Sequence, residues 1–297
     1  MTKIHLETFG EGKPIVLVHG WAMHTGIWRE FAKQLAQNYR VICVDLPGHG
    51  RSEAIDPFTL ERISAELVKI IPPGPPFSKG GGSPLKKEGG CLSPSLSKNM
   101  GDSFPPFEKG GAGGICWLGW SLGATVVLDI AARYPERVSS LVLLAGNPSY
   151  TQTEQWPGME VRLLDDFAGH LHKNCQATLL RFLSLQVKNL PDHKVFLKAL
   201  KASVFECEAP DTNTLQGGLD ILKQADLRPV LSGLTIPVSV ILGGLDTLVP
   251  VAVGQKMQQL LPGLELNIID RAGHVPFLSH SRETLAIISR FMDQRCI

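Results

Sequence analysis

A chain of 297 residues with 43% hydrophobic content is long enough to bury one large core, because α/β folds of about 250 residues form single domains. A formal net charge of +1, with lysines and arginines scattered along the chain, argues against a nucleic-acid partner. The polar start MTKIHLETFGEG and the lack of any long apolar run argue against secretion and membrane spanning.

Cys43, Cys91, Cys116, Cys175, Cys207 and Cys296 show neither CxxC nor Cys/His metal spacing. Reduced thiols in a cytoplasmic protein, with no metal and no disulfide, are the expectation.

In chain order, PIVLVHG reads as a strand, IWREFAKQLAQ as an amphipathic helix, YRVICVDL as a strand and LERISAELVKII as a helix. The composition then shifts. Between Ile71 and Ile115 proline, glycine, serine and lysine dominate, and PPFSKGG at 75–81 returns as PPFEKGG at 105–111, with SPLKKEGG at 83–90 as a degraded relative. These units carry no apolar periodic face, so residues 72–114 are expected to be a disordered insert; a docking tail is the alternative. Closure entropy grows only logarithmically with loop length, which makes such an insertion tolerable.

After it, ICWLGW reads as a buried strand, ATVVLDIAARYP as a helix and VSSLVLLAG as a strand. This alternation predicts an α/β fold, a mostly parallel doubly wound sheet covered by helices on both faces. Helical segments without intervening strands follow, including MEVRLLDDFAGHL, ATLLRFLSLQV and VFLKALKASVF, before PVSVILGG, GQKMQQLL, LELNIID and ETLAIISRFMD resume the alternation. The expected organisation is core over 1–71, insert over 72–114, core over 115–146, helical cap over 147–228 and core again over 229–297. A helix-to-strand loop lies at the strand's N-terminal end, so the insert is expected on the face away from catalysis.

Gly119-Trp120-Ser121-Leu122-Gly123 is G-x-S-x-G between a predicted strand and a predicted helix, the context of a nucleophile elbow. Alone, it is a glycine-flanked turn. Its partners make it chemistry: Asp246 in VILGGLDTLVP and His274 in IIDRAGHVPF follow later strands, in the order acid then histidine. Ser121 as nucleophile, His274 as base and Asp246 as its orienting carboxylate form the candidate catalytic triad. Asp45, His19 and His49 also lie near strand ends, but they fit structural roles around an early loop. The backbone N–H groups of Leu122 and Trp21 are the candidate oxyanion hole. Trp21, Trp120 and Phe182 are candidate walls of an apolar substrate pocket.

With these residues in hand, the chain resembles the α/β-hydrolase superfamily and, within it, the family of pimeloyl-[acyl-carrier protein] methyl ester esterases of biotin synthesis. HGWAMHTGIW, VDLPGHGRS, WLGWSLGA, EQWPG, RFLSLQ, LQGGLDILKQADLR, GGLDTLVP and AGHVPFLSH carry the resemblance, which covers nearly everything outside the insert. It implies a helical cap and a cofactor-free serine esterase, expected as a monomer, that releases methanol from a carrier-bound methyl ester. The implied partner is an acidic acyl-carrier protein, docked by Arg181, Lys194 and Lys198, with Ala177 departing from the pattern at a fourth position. Ala124 departs too, standing where the family commonly has glycine.

Fold does not fix substrate. Promiscuous short-chain ester cleavage, C–C bond hydrolysis or a menaquinone-pathway lyase reaction remain alternatives at this stage, as does a noncatalytic receptor. Dehalogenase and epoxide hydrolase chemistry need a carboxylate at the elbow, where this chain has Ser121.

Overall fold

The computed structural model describes residues 2–71 and 114–295. The expectations of disorder or docking for the insert therefore fall, but for Gly114, outside the described residues.

Seven strands form one sheet: β1 (Leu6–Phe9), β2 (Pro14–Val18), β3 (Arg40–Val44), β4 (Ile115–Trp120), β5 (Val138–Leu144), β6 (Val238–Gly243) and β7 (Glu265–Ile269), in the spatial order β1-β3-β2-β4-β5-β6-β7. β1 runs antiparallel to β3, and every other pair is parallel. The central strands are continuous apolar runs because helices cover both of their faces; β4 and β6 are buried at every residue. β1 is the one strand absent from the sequence reading. Its four residues, LETF, lie at the sheet edge and place two polar residues between two apolar ones, too short and too irregular a run to stand out.

The helices in chain order are α1 (Arg29–Leu35), α2 (Leu60–Ile70), α3 (Leu122–Arg133), α4 (Val161–Leu171), α5 (Cys175–Gln186), α6 (His193–Val204), α7 (Thr212–Gln224), α8 (Arg228–Gly233), α9 (Ala252–Leu260), α10 (Pro276–Ser279) and α11 (Ser281–Arg295). Their starts carry the signals that stop a helix unravelling. The side chains of Asn174 and Asp211 accept from the N–H groups of Ala177 and Thr214 at 2.9 and 2.8 Å, and each such cap contributes about 1 kcal/mol. α3 is apolar almost all round, and its first ten residues are buried between the sheet and α2. No helix among the described residues is long and apolar enough to cross a membrane.

Between β5 and β6 the chain leaves the sheet to build a cap from α4 to α7. Exit and return are stitched together, since Leu227 N–H donates to the Pro148 carbonyl at 2.7 Å. The excursion opens with a compact turn, not a helix: bridges pair Thr151 with Met159 and Thr153 with Trp156, and the Trp156 indole N–H donates to Ser149 O at 2.8 Å. Far from this stitch, His24 Nε2–H donates to Ser203 O at 2.6 Å and Arg29 grips Glu206 with two bonds of 2.9 and 2.8 Å. The cap is thus moored to the core at both ends.

The join that receives the insert runs from the end of α2 to the start of β4. Ser121 follows the other end of β4, so six residues of strand, about 20 Å, separate the two.

Candidate active site

β4 ends at Trp120 and α3 begins at Leu122, leaving Ser121 alone to turn the chain, with φ 56° and ψ −122°. A side chain other than glycine in this region carries strain of about 1–3 kcal/mol, so neighbours must impose it. Ser121 N–H donates to Leu144 O at 3.1 Å, and Ser121 O accepts from Ala124 N–H at 2.8 Å. The flanking glycines are required by contact. A Cβ on Gly119 would sit 2.2 Å from Gly123 O, and one on Gly123 would sit 2.3 Å from Val18 O. Ala124 is tolerated after the elbow because its methyl faces Gly146, where a second Cβ would come within 2.2 Å.

Above the elbow lies His274, on the loop after β7. Its Nδ1 is 2.8 Å from Asp246 Oδ2, and its Nε2 is 2.9 Å from Ser121 Oγ. An ionised carboxylate only accepts, so Nδ1 carries the proton and the Nε2 lone pair faces the serine hydroxyl. Asp246 is fixed in turn, because Oδ1 accepts from Leu248 N–H at 2.8 Å and from Val249 N–H at 3.1 Å. The His274 and Asp246 side chains are 1% and 0% exposed, and Ser121 is 4% exposed. Three side chains distant in sequence thus form one dry hydrogen-bonded line.

The loop after β2 brings Trp21 to the other side of the serine. Neither Trp21 N–H nor Leu122 N–H donates a hydrogen bond among the described residues. The second of these opens α3, where the helix dipole favours negative charge. Around this loop His19 Nδ1–H donates to Gly20 O at 2.8 Å while its Nε2 accepts from Leu46 N–H at 2.9 Å. Asp45 accepts from Thr25 N–H at 2.5 Å and Arg51 N–H at 2.9 Å. Burial drives both His19 and His49 down to about 3, so they are neutral struts at ordinary pH.

Of the candidate pocket walls, Trp21 and Phe182 meet edge to face at 4.8 Å, and the Trp21 indole N–H donates to Leu215 O at 2.8 Å. Trp120 is used differently. Its ring packs on Phe277 at 5.0 Å and Trp28 at 6.0 Å, and its indole N–H donates to His274 O at 2.8 Å. These are contacts of a brace beneath the histidine loop. Arg181 is exposed on α5 with its guanidinium 5.3 Å from the Phe167 ring centroid. Lys194 and Lys198 are exposed one helical turn apart on α6, which packs against α5.

Three polar residues near the serine escaped the sequence reading. Gln186 is 1% exposed with both amide atoms unpartnered, while its carbonyl accepts from His274 N–H at 3.1 Å. Tyr150 OH and Asn147 Nδ2 are likewise buried without partners. Only Gln186 left a trace in the sequence, as a polar residue four after Phe182 on the apolar face of α5.

A strand–serine–helix elbow, a later acid and a final histidine beneath a helical cap define a serine hydrolase of the α/β type, and the comparisons agree. The chain belongs to the alpha/beta hydrolase family, whose model matches residues 15–287. It is 34% identical over 289 residues, 97% of this chain and 98% of the relative, to the pimeloyl-[acyl-carrier protein] methyl ester esterase of Methylococcus capsulatus. To the protein of the same name from Nitrosomonas europaea it is 35% identical over 280 residues, 94% of this chain and 95% of that one. Among solved structures, the esterase EaEST from Exiguobacterium antarcticum superposes with a TM-score of 0.76 at 19% identity, covering 99% of this chain and 96% of that one. That last likeness speaks for the fold alone.

Proposed function

We propose that this protein is a serine esterase that hydrolyses the methyl ester of pimeloyl-[acyl-carrier protein], releasing methanol and the free carboxylate. The observation that carries the reading is the continuous Ser121–His274–Asp246 hydrogen-bonded line, found in a chain similar over nearly its whole length to esterases of that name.

His274 Nε2 takes the Ser121 proton as Oγ attacks the ester carbonyl carbon, and Asp246 stabilises the imidazolium. The carbonyl oxygen becomes an oxyanion between the N–H groups of Trp21 and Leu122, each donor lowering the barrier by about 3 kcal/mol. The imidazolium then protonates the methoxy oxygen and methanol leaves, with an acyl-enzyme remaining on Oγ. Water, deprotonated by the same imidazole, attacks that ester; its collapse frees the carboxylate and returns the proton to Ser121.

Trp21 and Phe182 wall the methylene chain, with Trp120 holding the histidine loop from below. Arg181, Lys194 and Lys198 meet the acidic carrier protein at the cap surface, where charge speeds encounter and sets orientation. The protein acts as a monomer in the cytoplasm, a compartment that suits the thiols of Cys43, Cys175 and Cys207.

The test is methanol release and mass change on methyl-pimeloyl carrier protein. Wild type is expected to convert it fully and Ser121→Ala to lose about a millionfold in rate. Conversion of free short-chain methyl esters but not of the carrier-bound one would overturn the substrate, and an active Ser121→Ala protein would overturn the triad.

A further inference from the structure

We infer that Tyr150 is a further catalytic residue, a side-chain donor whose phenolic O–H serves the ester's alkoxy oxygen, the one that departs as methanol. The inference rests on the esterase reading above. Tyr150 is 3% exposed, and its hydroxyl closes no hydrogen bond of normal geometry, although the Ser121 side chain and the Asn147 backbone both bear on it. A buried donor left unsatisfied is costly, and native proteins rarely keep one without a use.

Position says what the use is. A Cβ on Gly146 would lie 3.4 Å from Tyr150 OH and 3.5 Å from Ser121 O, so the phenol stands beside the elbow. The Ser121 side chain and the Asn147 backbone are the polar groups that bear on the phenol, and neither closes a bond of normal geometry with it. Tyr150 follows β5, and β5 flanks β4 on the side opposite β2, the strand that delivers Trp21. With the carbonyl oxygen drawn toward the Trp21 and Leu122 N–H groups, the donor across the serine is left with the ester's other oxygen. The residue is also held still: Met159 N–H donates to Tyr150 O at 2.7 Å, and the Trp156 indole N–H ties down the neighbouring Ser149 carbonyl.

Burial pushes the phenol well above its ordinary range, which keeps it a protonated donor and not a base. No proton is transferred from it. As the tetrahedral intermediate collapses, the C–O bond to methoxy breaks and His274 supplies the proton. The phenol stabilises the negative charge that builds on that oxygen meanwhile. Methoxide is a poor leaving group and needs this help, whereas p-nitrophenolate carries its own charge well.

The experiment is Tyr150→Phe, assayed by kcat/KM on methyl butyrate and p-nitrophenyl butyrate, which share an acyl chain and differ in leaving group. The loss on the methyl ester is expected to exceed that on the p-nitrophenyl ester by about tenfold, the worth of one hydrogen bond to developing charge. Equal losses on the two esters, or no loss on the methyl ester, would overturn the assignment. Ser121→Ala run alongside separates the two levels: if it stays active, the esterase reading fails and this role with it; if it is dead while Tyr150→Phe shows no preference, only the tyrosine's role falls.

Discussion

The backbone N–H of His274 donates to the carbonyl of Gln186 at 3.1 Å, so the loop carrying the imidazole rests on the last turn of a cap helix. Two further bonds tie the acid's loop to the same place, Thr247 Oγ1–H to Leu185 O at 3.3 Å and Asn189 Nδ2–H to Leu245 O at 3.4 Å. The cap therefore helps to hold the acid and the base in register.

Gln186 brings a buried amide with no partner to this junction, and an unsatisfied buried group costs about 1–3 kcal/mol. Gln186→Leu, of similar volume, is expected to raise the urea unfolding midpoint by relieving that cost, and a fall in kcat/KM on the carrier-bound ester beside it would mark the amide as a substrate contact. A less stable variant with full activity would show the amide to be structural.

Asp246→Asn keeps the shape of the side chain but turns an NH2 toward His274 Nδ1. The imidazole then carries its proton on Nε2, facing a serine hydroxyl it can no longer deprotonate. A fall in kcat of about ten-thousandfold is expected with little change in Tm. A loss smaller than about tenfold would remove Asp246 from the mechanism.

His19 and His49 set an acid limit on stability. Their native values of about 3 lie below the ordinary value of 6.5, so below pH 6.5 the unfolded chain binds protons that the native state refuses. The stability is whole above that point and drains as pH falls toward 3, by about 1.4 kcal/mol per pH unit for each histidine. Urea titrations between about pH 6 and about pH 4.5 should give this slope, and His49→Asn should remove about half of it. An unchanged slope in that variant would mean His49 titrates normally when folded.

Charge reversal at the cap tests the partner. Arg181→Glu combined with Lys198→Glu should raise KM for the carrier-bound ester, relative to a free methyl ester, by about tenfold, and the difference should shrink as salt screens the contact. A KM ratio equal to that of wild type would put the docking surface elsewhere.

The one-dimensional text determined much of this molecule. Alternating apolar runs and amphipathic segments fixed a parallel sheet, because a strand buried on both faces must be apolar throughout. The G-x-S-x-G turn named Ser121, since only glycines fit where the Gly119 and Gly123 backbones touch their neighbours. Chain order after it named Asp246 and His274. Other features belonged to tertiary structure because they depend on distances between residues remote in sequence. The edge strand β1 is a strand only by pairing with β3. Trp120 turns to the Trp28–Phe277 cluster and not the pocket because a core aromatic space waits there. Tyr150 and Gln186 differ from any other tyrosine or glutamine only in lying unpartnered beside Ser121 and His274, and which polar groups burial leaves unsatisfied is decided when the cap closes on the core.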